Sequence, residues 1–444
     1  VLQVRCRSEF NVFFFRRSNM KNAYYYGIVA GVVAVYFAVS KYVFDEVYKT
    51  SRIVIDEQFH LPQGLIYCKR NFSHWDTKIT TLPGLYFVSA AAVGSYFDCN
   101  SYNLRFVNLI ASCVNLVLFA SLLRFVYYSN SESPFKIAIQ AVNLAILPPL
   151  YFFSHVYYTD TLSLTFLLIL FRLCLSNCKS MIPVFGIASI CMRQTNAVWV
   201  AMILGHKMLG VFIRNSRVYV NDFLAIFMHS ITLAVFLGFV FYNGSIVVGD
   251  KKAHEATLHL PQMFYFLLFY GVFGLPYVLA KSVSTLKLII SNKLLFVLLG
   301  LLFLAIAHFN TIVHPYLLAD NRHYTFYIWN RWYGKYDFAI YASVPIYLFL
   351  LFSLYDNLRS QNCVSFLIPY AFATFLALAL HRMIEVRYFL VPFIIIRLRF
   401  VRPSYKIVIF EFLWYLSINV IVFHLFFNKI IFWKDFDYAQ RLIW

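Results

Sequence analysis

Charge is scarce in this 444-residue chain: Asp, Glu, Lys and Arg make up 13% of it, and 19 acids stand against 38 Lys and Arg. That scarcity excludes a soluble domain, because 61% hydrophobic and 20% aromatic residues exceed what one aqueous core can bury. The formal charge of +19 is spread among helix ends, with no basic domain and no aromatic-basic repeat, so nucleic acid is excluded as a partner. Most of these bases are expected to face lipid headgroups. An internal repeat of the kind carriers show is also missing. Cysteines number eight and lie mostly in apolar runs, where packing as small hydrophobes is the default. Cys174 and Cys178 stand one helical turn apart but lack partners for a zinc site, and Cys68, taken as alone in its loop, is expected to form no disulfide within it. No cleavable signal is evident, because the first apolar run continues for about 20 residues, as a span does. Residues 1–19, ahead of Met20 and Lys21, are read as a leader or upstream segment, and 20–444 as one transmembrane domain.

What is present are long apolar runs. Stretches of roughly 17 to 25 apolar residues match the hydrocarbon thickness near 24–44, 105–128, 136–153, 160–177, 223–247, 259–280, 291–313, 337–356, 363–381 and 405–427. Residues 181–213, with Arg193-Gln194-Thr195-Asn196 at their middle, are either one tilted span or two short helices meeting at a polar tip, and 386–401 are barely long enough to cross. The reading is an all-α polytopic membrane protein with about a dozen crossings. Residues 82–97 open with Leu-Pro-Gly and are expected to form an interfacial or re-entrant helix. With Arg16, Arg17 and Lys21 on the cytosolic side, the basic connectors alternate consistently, and the loops at 45–104, 248–258, 314–336 and 382–387 share the opposite face.

That face carries the chemistry. Asp56 and Glu57 are adjacent and point about 100° apart on a helix, so one of them addresses a given reacting atom. His60, four residues on, shares the Asp56 face. A carboxylate partly desolvated at a membrane surface is suited to accept a proton from a hydroxyl; the bland alternative is a helix cap or a solvated acidic loop. Gln63, Trp75, Asp76 and Lys78 follow, and aromatic rings with ions suit a sugar. Lys251, His254 and Glu255 are either a phosphate or sugar contact or a hydrophilic turn. Asp320, Arg322 and His323 stand among aromatics at a membrane boundary, where Arg would fork onto a phosphate; an interfacial aromatic belt explains Tyr324, Phe326, Tyr327 and Trp329 but not these three. Asp160, Arg193, Gln194, Glu385 and Arg387 are polar groups at membrane depth that face a cavity or one another. Pairs Asp160 with Arg193 and Glu385 with Arg387 are the structural alternative, while Glu411 in the last span has no evident partner. A divalent ion at Asp56 and His60 would lack a complete ligand set.

Five blocks, taken together and in order, resemble a known family. They are Asp56-Glu57-x-Phe59-His60-x-Pro62-Gln63; Trp75-Asp76-x-Lys78-Ile79-Thr80-Thr81-x-Pro83-Gly84-Leu85-Tyr86; Arg193-Gln194-Thr195-Asn196; Gly249-Asp250-Lys251 with His254-Glu255-Ala256-Thr257-Leu258-His259-Leu260-Pro261-Gln262; and Ala319-Asp320-Asn321-Arg322-His323-Tyr324-Thr325-Phe326-Tyr327. Nearly everything from Met20 onward is similar to the dolichyl-phosphate-glucose-dependent alpha-1,2-glucosyltransferases of lipid-linked oligosaccharide assembly. The resemblance implies a multi-pass endoplasmic-reticulum enzyme of GT-C-type architecture, with its active site in lumenal loops and the catalytic acid on Asp56-Glu57. It implies dolichyl phosphate glucose as donor and the diglucosylated dolichyl-diphosphate glycan as acceptor. No cofactor or metal is expected, because the leaving group carries a single phosphate that cationic side chains can neutralise, and the protein is expected to be a monomer. Gln58, Gly64, Thr77 and Leu82 depart from the pattern and touch loop stiffness. The rival classes are a polytopic transporter and a sister transferase with another donor sugar or acceptor linkage.

Overall fold

The computed structural model of the protein describes residues 19–126, 132–176, 178–214, 220–251, 257–359, 362–400, 402–433 and 436–444. Its regular structure is helical apart from one short hairpin, as expected where backbone groups must satisfy one another within lipid. Along the chain run α1 (Asn19–Thr50), α2 (Glu57–Cys68), α3 (Gly84–Ala92), α4 (Ser101–Val126), α5 (Pro134–Ala145), α6 (Pro148–Phe153) and α7 (Thr159–Cys174). There follow α8 (Ile182–Met192), α9 (Asn196–Arg214), α10 (Val220–Asn243), α11 (Pro261–Phe273), α12 (Leu275–Ala280), α13 (Ser282–Ser291) and α14 (Lys293–Phe309). The remainder are α15 (Pro315–Ala319), α16 (Tyr324–Ile328), α17 (Ala339–Ala342), α18 (Val344–Arg359), α19 (Val364–Leu378), α20 (Leu390–Leu398) and α21 (Tyr405–Asn428), then the strands β1 (Ile430–Ile431) and β2 (Gln440–Arg441).

Among the described residues, six helical stretches are long and apolar enough to cross a membrane, at 23–50, 101–126, 196–213, 222–243, 339–359 and 405–428; α13 and α14, bent by 94° at their junction, make a seventh if taken as one span. The expected dozen full-length runs therefore reduces to six or seven by length. The physical reason lies in the middle of the molecule. Pro148 and Pro149 open α6 and so break the apolar run after α5, and α7 is only 16 residues long yet largely buried, so protein rather than lipid surrounds these shorter pieces. Residues 181–213 take the two-helix form: Arg193 is extended, with φ −151° and ψ 125°, and Asn196 Nδ2 donates to the Ser189 carbonyl at 2.7 Å and to Ser163 Oγ at 2.8 Å. A carbonyl near the end of α8 is thereby satisfied by the residue that opens α9. α3, nine residues long, is too short to span, in keeping with an interfacial or re-entrant piece.

Two sequence expectations fail. Cys68 is not alone: it forms a disulfide with Cys99, closing a 31-residue separation between the end of α2 and the approach to α4. Its partner lies within the same 45–104 loop, beyond the short apolar helix that separates the two cysteines in sequence. Glu411 is not partnerless either, since Arg397 Nε and Nη2 each donate to it at 2.6 Å, Asn143 at 2.8 Å and Tyr277 at 3.0 Å. An unpaired charge there would cost several kcal/mol, roughly; the partners come from three other helices, Arg397 from 14 residues away and Tyr277 and Asn143 from 134 and 268.

Candidate active site

Local strain begins the site. Ile55 is β-branched and 9% exposed, yet its φ is +38°, a conformation that persists only where surroundings over-determine it. Those surroundings are built by Glu57. Its Oε1 accepts from Arg105 Nε at 2.8 Å and from the Tyr157 amide at 2.6 Å. Its Oε2 accepts from Arg105 Nη2 at 2.5 Å and from the Val54 amide at 2.9 Å. Both Glu57 and Arg105 are 0% exposed. Glu57, the second candidate for the base, is therefore corrected to a buried clamp that joins the 51–57 turn, α4 and the start of the α7 region. Arg105 itself escaped notice, although an arginine opening an apolar run is the kind of signal that flags a buried partner.

The clamp delivers Asp56 to the N-cap of α2, its amide donating to Tyr158 Oη at 3.0 Å. Its side chain keeps 38% exposure. From 331 residues away, Arg387 Nη2 donates to Asp56 Oδ2 at 2.9 Å. The same guanidinium pairs with Glu385 at 2.5 Å and lies 3.6 Å from Asp160, with the rings of Tyr158 and Phe153 at 5.0 and 5.4 Å. Asp160 in turn pairs with Arg193, which lies over the Tyr388 ring at 5.8 Å. Both pairs foreseen as the structural alternative thus exist, and they belong to one network of three acids and two arginines around Arg387. Burial pushes the Asp56 carboxyl up, but the Arg387 guanidinium beside it more than reverses that and holds it below the usual carboxylate range. Burial lowers His60 to about 4, so it is neutral near pH 7, with Nδ1 2.6 Å from Tyr86 Oη.

Other residues singled out in the sequence hold loops in place. Gln63 donates to the His74 carbonyl at 2.9 Å and accepts from the Asp76 amide at 3.0 Å. Asp76 caps the Lys78 amide at 2.9 Å, Lys78 lies over Phe59 at 5.4 Å, and Trp75 meets Tyr86 edge-on. The Thr80 carbonyl accepts from Gln194 at 2.8 Å and from the Val248 amide at 3.2 Å, so two of the five blocks meet at one oxygen, together with the residue just ahead of a third. A Cβ on Gly249, whose φ is +70°, would come within 2.4 Å of the Thr77 and Ile79 carbonyls, which is why glycine opens that block. Lys251 donates to the Asn243 carbonyl at 2.6 Å, away from the arginine network. His254 and Glu255 lie outside the described residues.

Asp320, Arg322 and His323 meet the end of the chain. Arg322 forks onto Asp320 at 2.7 and 2.9 Å, donates to Gln440 at 3.2 Å and stacks under Trp433 at 4.1 Å. Burial raises the Asp320 carboxyl, and its hydrogen bonds from Arg322 more than reverse that. His323 Nδ1 donates to the Trp444 carbonyl at 2.8 Å. A cavity of about 40 Å³ adjoins the network, lined by Asp160, Arg193, Arg387, Tyr388 and Trp199 among others, with room for about three waters. No group of three or more His, Cys, Asp or Glu among the described residues is arranged to hold a metal ion.

Comparison with known proteins places this arrangement. The DIE2/ALG10 family matches residues 50–222 and 210–398. A Drosophila melanogaster protein is 41% identical over 428 residues, covering 89% of this chain and 94% of its own length. A Rattus norvegicus protein is 33% identical over 440 residues, covering 88% and 93%, and a Homo sapiens protein is 33% identical over 439 residues, covering 88% and 93%. All three are named Dol-P-Glc:Glc(2)Man(9)GlcNAc(2)-PP-Dol alpha-1,2-glucosyltransferase. No solved structure matches the chain. With matches of this length and identity, running through the blocks that build the Asp56 site, the chain belongs to the DIE2/ALG10 family.

Proposed function

We propose that this protein transfers glucose from dolichyl phosphate glucose, in alpha-1,2 linkage, to the diglucosylated dolichyl-diphosphate oligosaccharide, the reaction for which its relatives are named. The observation that carries the site assignment is Asp56: a carboxylate at an N-cap next to the strained Ile55, partly exposed, ionised, and held beside a cationic network. A β-linked donor and an α-linked product call for a single inverting displacement. Asp56 takes the proton from the acceptor 2-hydroxyl, whose oxygen forms the new bond to the anomeric carbon, and the bond to the phosphate oxygen breaks with its electron pair leaving on phosphate. Cations at the site balance the charge that develops on the leaving group. His60, Trp75, Asp76 and Lys78 shape the acceptor side, and neutral His60 adds no charge that would compete with proton transfer to Asp56.

The proposed setting is the endoplasmic-reticulum membrane, with the site lumenal and the protein a monomer of GT-C-type architecture. The Cys68–Cys99 disulfide supports placing the Asp56 loop on the oxidising side. Shorter buried pieces such as α7, α11, α19 and α20 would complete a crossing number near a dozen, since neighbouring helices can satisfy broken backbone inside a bundle. Membranes carrying Asp56→Asn at normal protein level should fail to convert the diglucosylated lipid to the triglucosylated one, read by glycan profiling. Conversion at the unmodified rate removes Asp56 from the role of base.

A further inference from the structure

Three arginines on this face could meet the donor's phosphate, and their surroundings separate them. Arg322 has both edges of its fork filled by Asp320 and Gln440 and its flat face covered by Trp433, so a phosphate could reach it only by dismantling the hairpin. Arg193 is engaged by Asp160, whose side chain is 4% exposed. Arg387 differs, because one of its three acids is accessible: Asp56 at 38% exposure, against 16% for Glu385 and 4% for Asp160. The group on Arg387 that can be exchanged is Asp56. A donor phosphodiester carries one negative charge, so the exchange replaces one anion with another and leaves Arg387 paired.

We propose that Arg387 is the subsite for the phosphate of the polyprenyl donor, and that this phosphate and the Asp56 carboxylate compete for the same guanidinium edge. Donor binding then frees the base, which deepens the functional reading above and rests on it. The wall beside Arg387 suits such a ligand. The cavity joins Arg193 and Tyr388 to the apolar Leu390 and Val391, a cation next to a greasy surface. Asp160 Oδ2, buried in the same wall, accepts no hydrogen bond and offers an acceptor for a sugar hydroxyl. The groups facing Asp56 are Arg387 and Glu385 from the 385–389 turn, His60 from α2, His323 ahead of α16 and Tyr158 ahead of α7. Arg387 is the one that both touches Asp56 and keeps a donor edge suited to phosphate. As the anomeric bond breaks, the phosphate gains its second charge beside Arg387, with Arg193 next along the wall.

The test is direct binding of farnesyl phosphate to the purified full-length protein, with farnesol as the control. Asp56→Asn removes the competitor and should tighten farnesyl phosphate binding about tenfold while abolishing turnover; Arg387→Lys, which keeps the charge and loses the fork, should weaken it about tenfold. Unchanged or weaker binding by Asp56→Asn overturns the competition. Unchanged binding by Arg387→Lys, or farnesol binding as tightly as its phosphate, overturns the subsite. These readouts need no glucosyl transfer. A wild-type protein that binds as expected but makes no triglucosylated lipid would refute the proposed activity and leave the subsite standing.

Discussion

Asp56 and Glu57 are neighbours in sequence and opposites in the fold, and a hundred degrees of helical rotation separates their fates. One is solvated enough to be reached by a hydroxyl, and the other has both oxygens saturated by four donors. Removing the Glu57 charge would strand Arg105, so Glu57→Gln should cost about 3–5 kcal/mol, seen as a lowered melting temperature and reduced protein in the membrane. Asp56→Asn should leave the melting temperature nearly unchanged. Equal thermal behaviour of the two variants would mean that the clamp does not hold the turn. The pair shows how far residue types reach: an Asp-Glu dipeptide after an apolar span is visible as a candidate site, but which acid stays accessible depends on Arg105, placed 48 residues away.

Elements of this protein are set as much by their breaks as by their runs. Arg193 ends one apolar helix, Asn196 starts the next, and the polar tip between them becomes part of the site. α3 abuts that corner so closely that a Cβ on Gly84 would lie 2.6 Å from the Cys191 carbonyl and 2.9 Å from the Met192 amide, backbone atoms with no room to give. The Cys68–Cys99 bond ties the far end of α2 to the approach to α4. Replacing both cysteines by serine should cost about 3–4 kcal/mol for a loop of this size, measured as a drop in melting temperature equal to that of the wild type under reduction. No drop would mean that α2 is fixed by Glu57 and its packing alone. Hydropathy located the apolar elements, yet it could not tell a span from a buried fragment, because both are apolar and what surrounds them is decided elsewhere.

Across the whole molecule, the last residues return to the middle. On either side of His323, the Ile443 amide donates to the Arg322 carbonyl at 2.8 Å and its carbonyl accepts from the Tyr324 amide at 3.1 Å, and Arg441 Nη2 donates to the Thr50 carbonyl, where α1 ends, at 3.5 Å. The hairpin thereby couples the Asp320 block to the turn that carries Asp56. Removing residues 430–444 should leave the protein in the membrane but cut glucosyl transfer by about tenfold or more, through loss of the packing that fixes Arg322 and His323. Full activity after truncation would make the hairpin dispensable and the placement of His323 incidental.

The sequence by itself determined the apolar helical character, the family, and the polar blocks from which the site is assembled, because hydropathy and motif order are local properties written residue by residue. Tertiary structure alone decided that Arg387 reaches Asp56, that Glu57 is buried against Arg105 and Arg322 is forked onto Asp320, that Glu411 has partners, and that Cys68 is bonded. Each of those outcomes is a choice among competing partners for one charged or reactive group. Such a choice is made by distance in space, which separation along the chain, from 2 residues for Arg322 and Asp320 to 331 for Arg387 and Asp56, does not reveal.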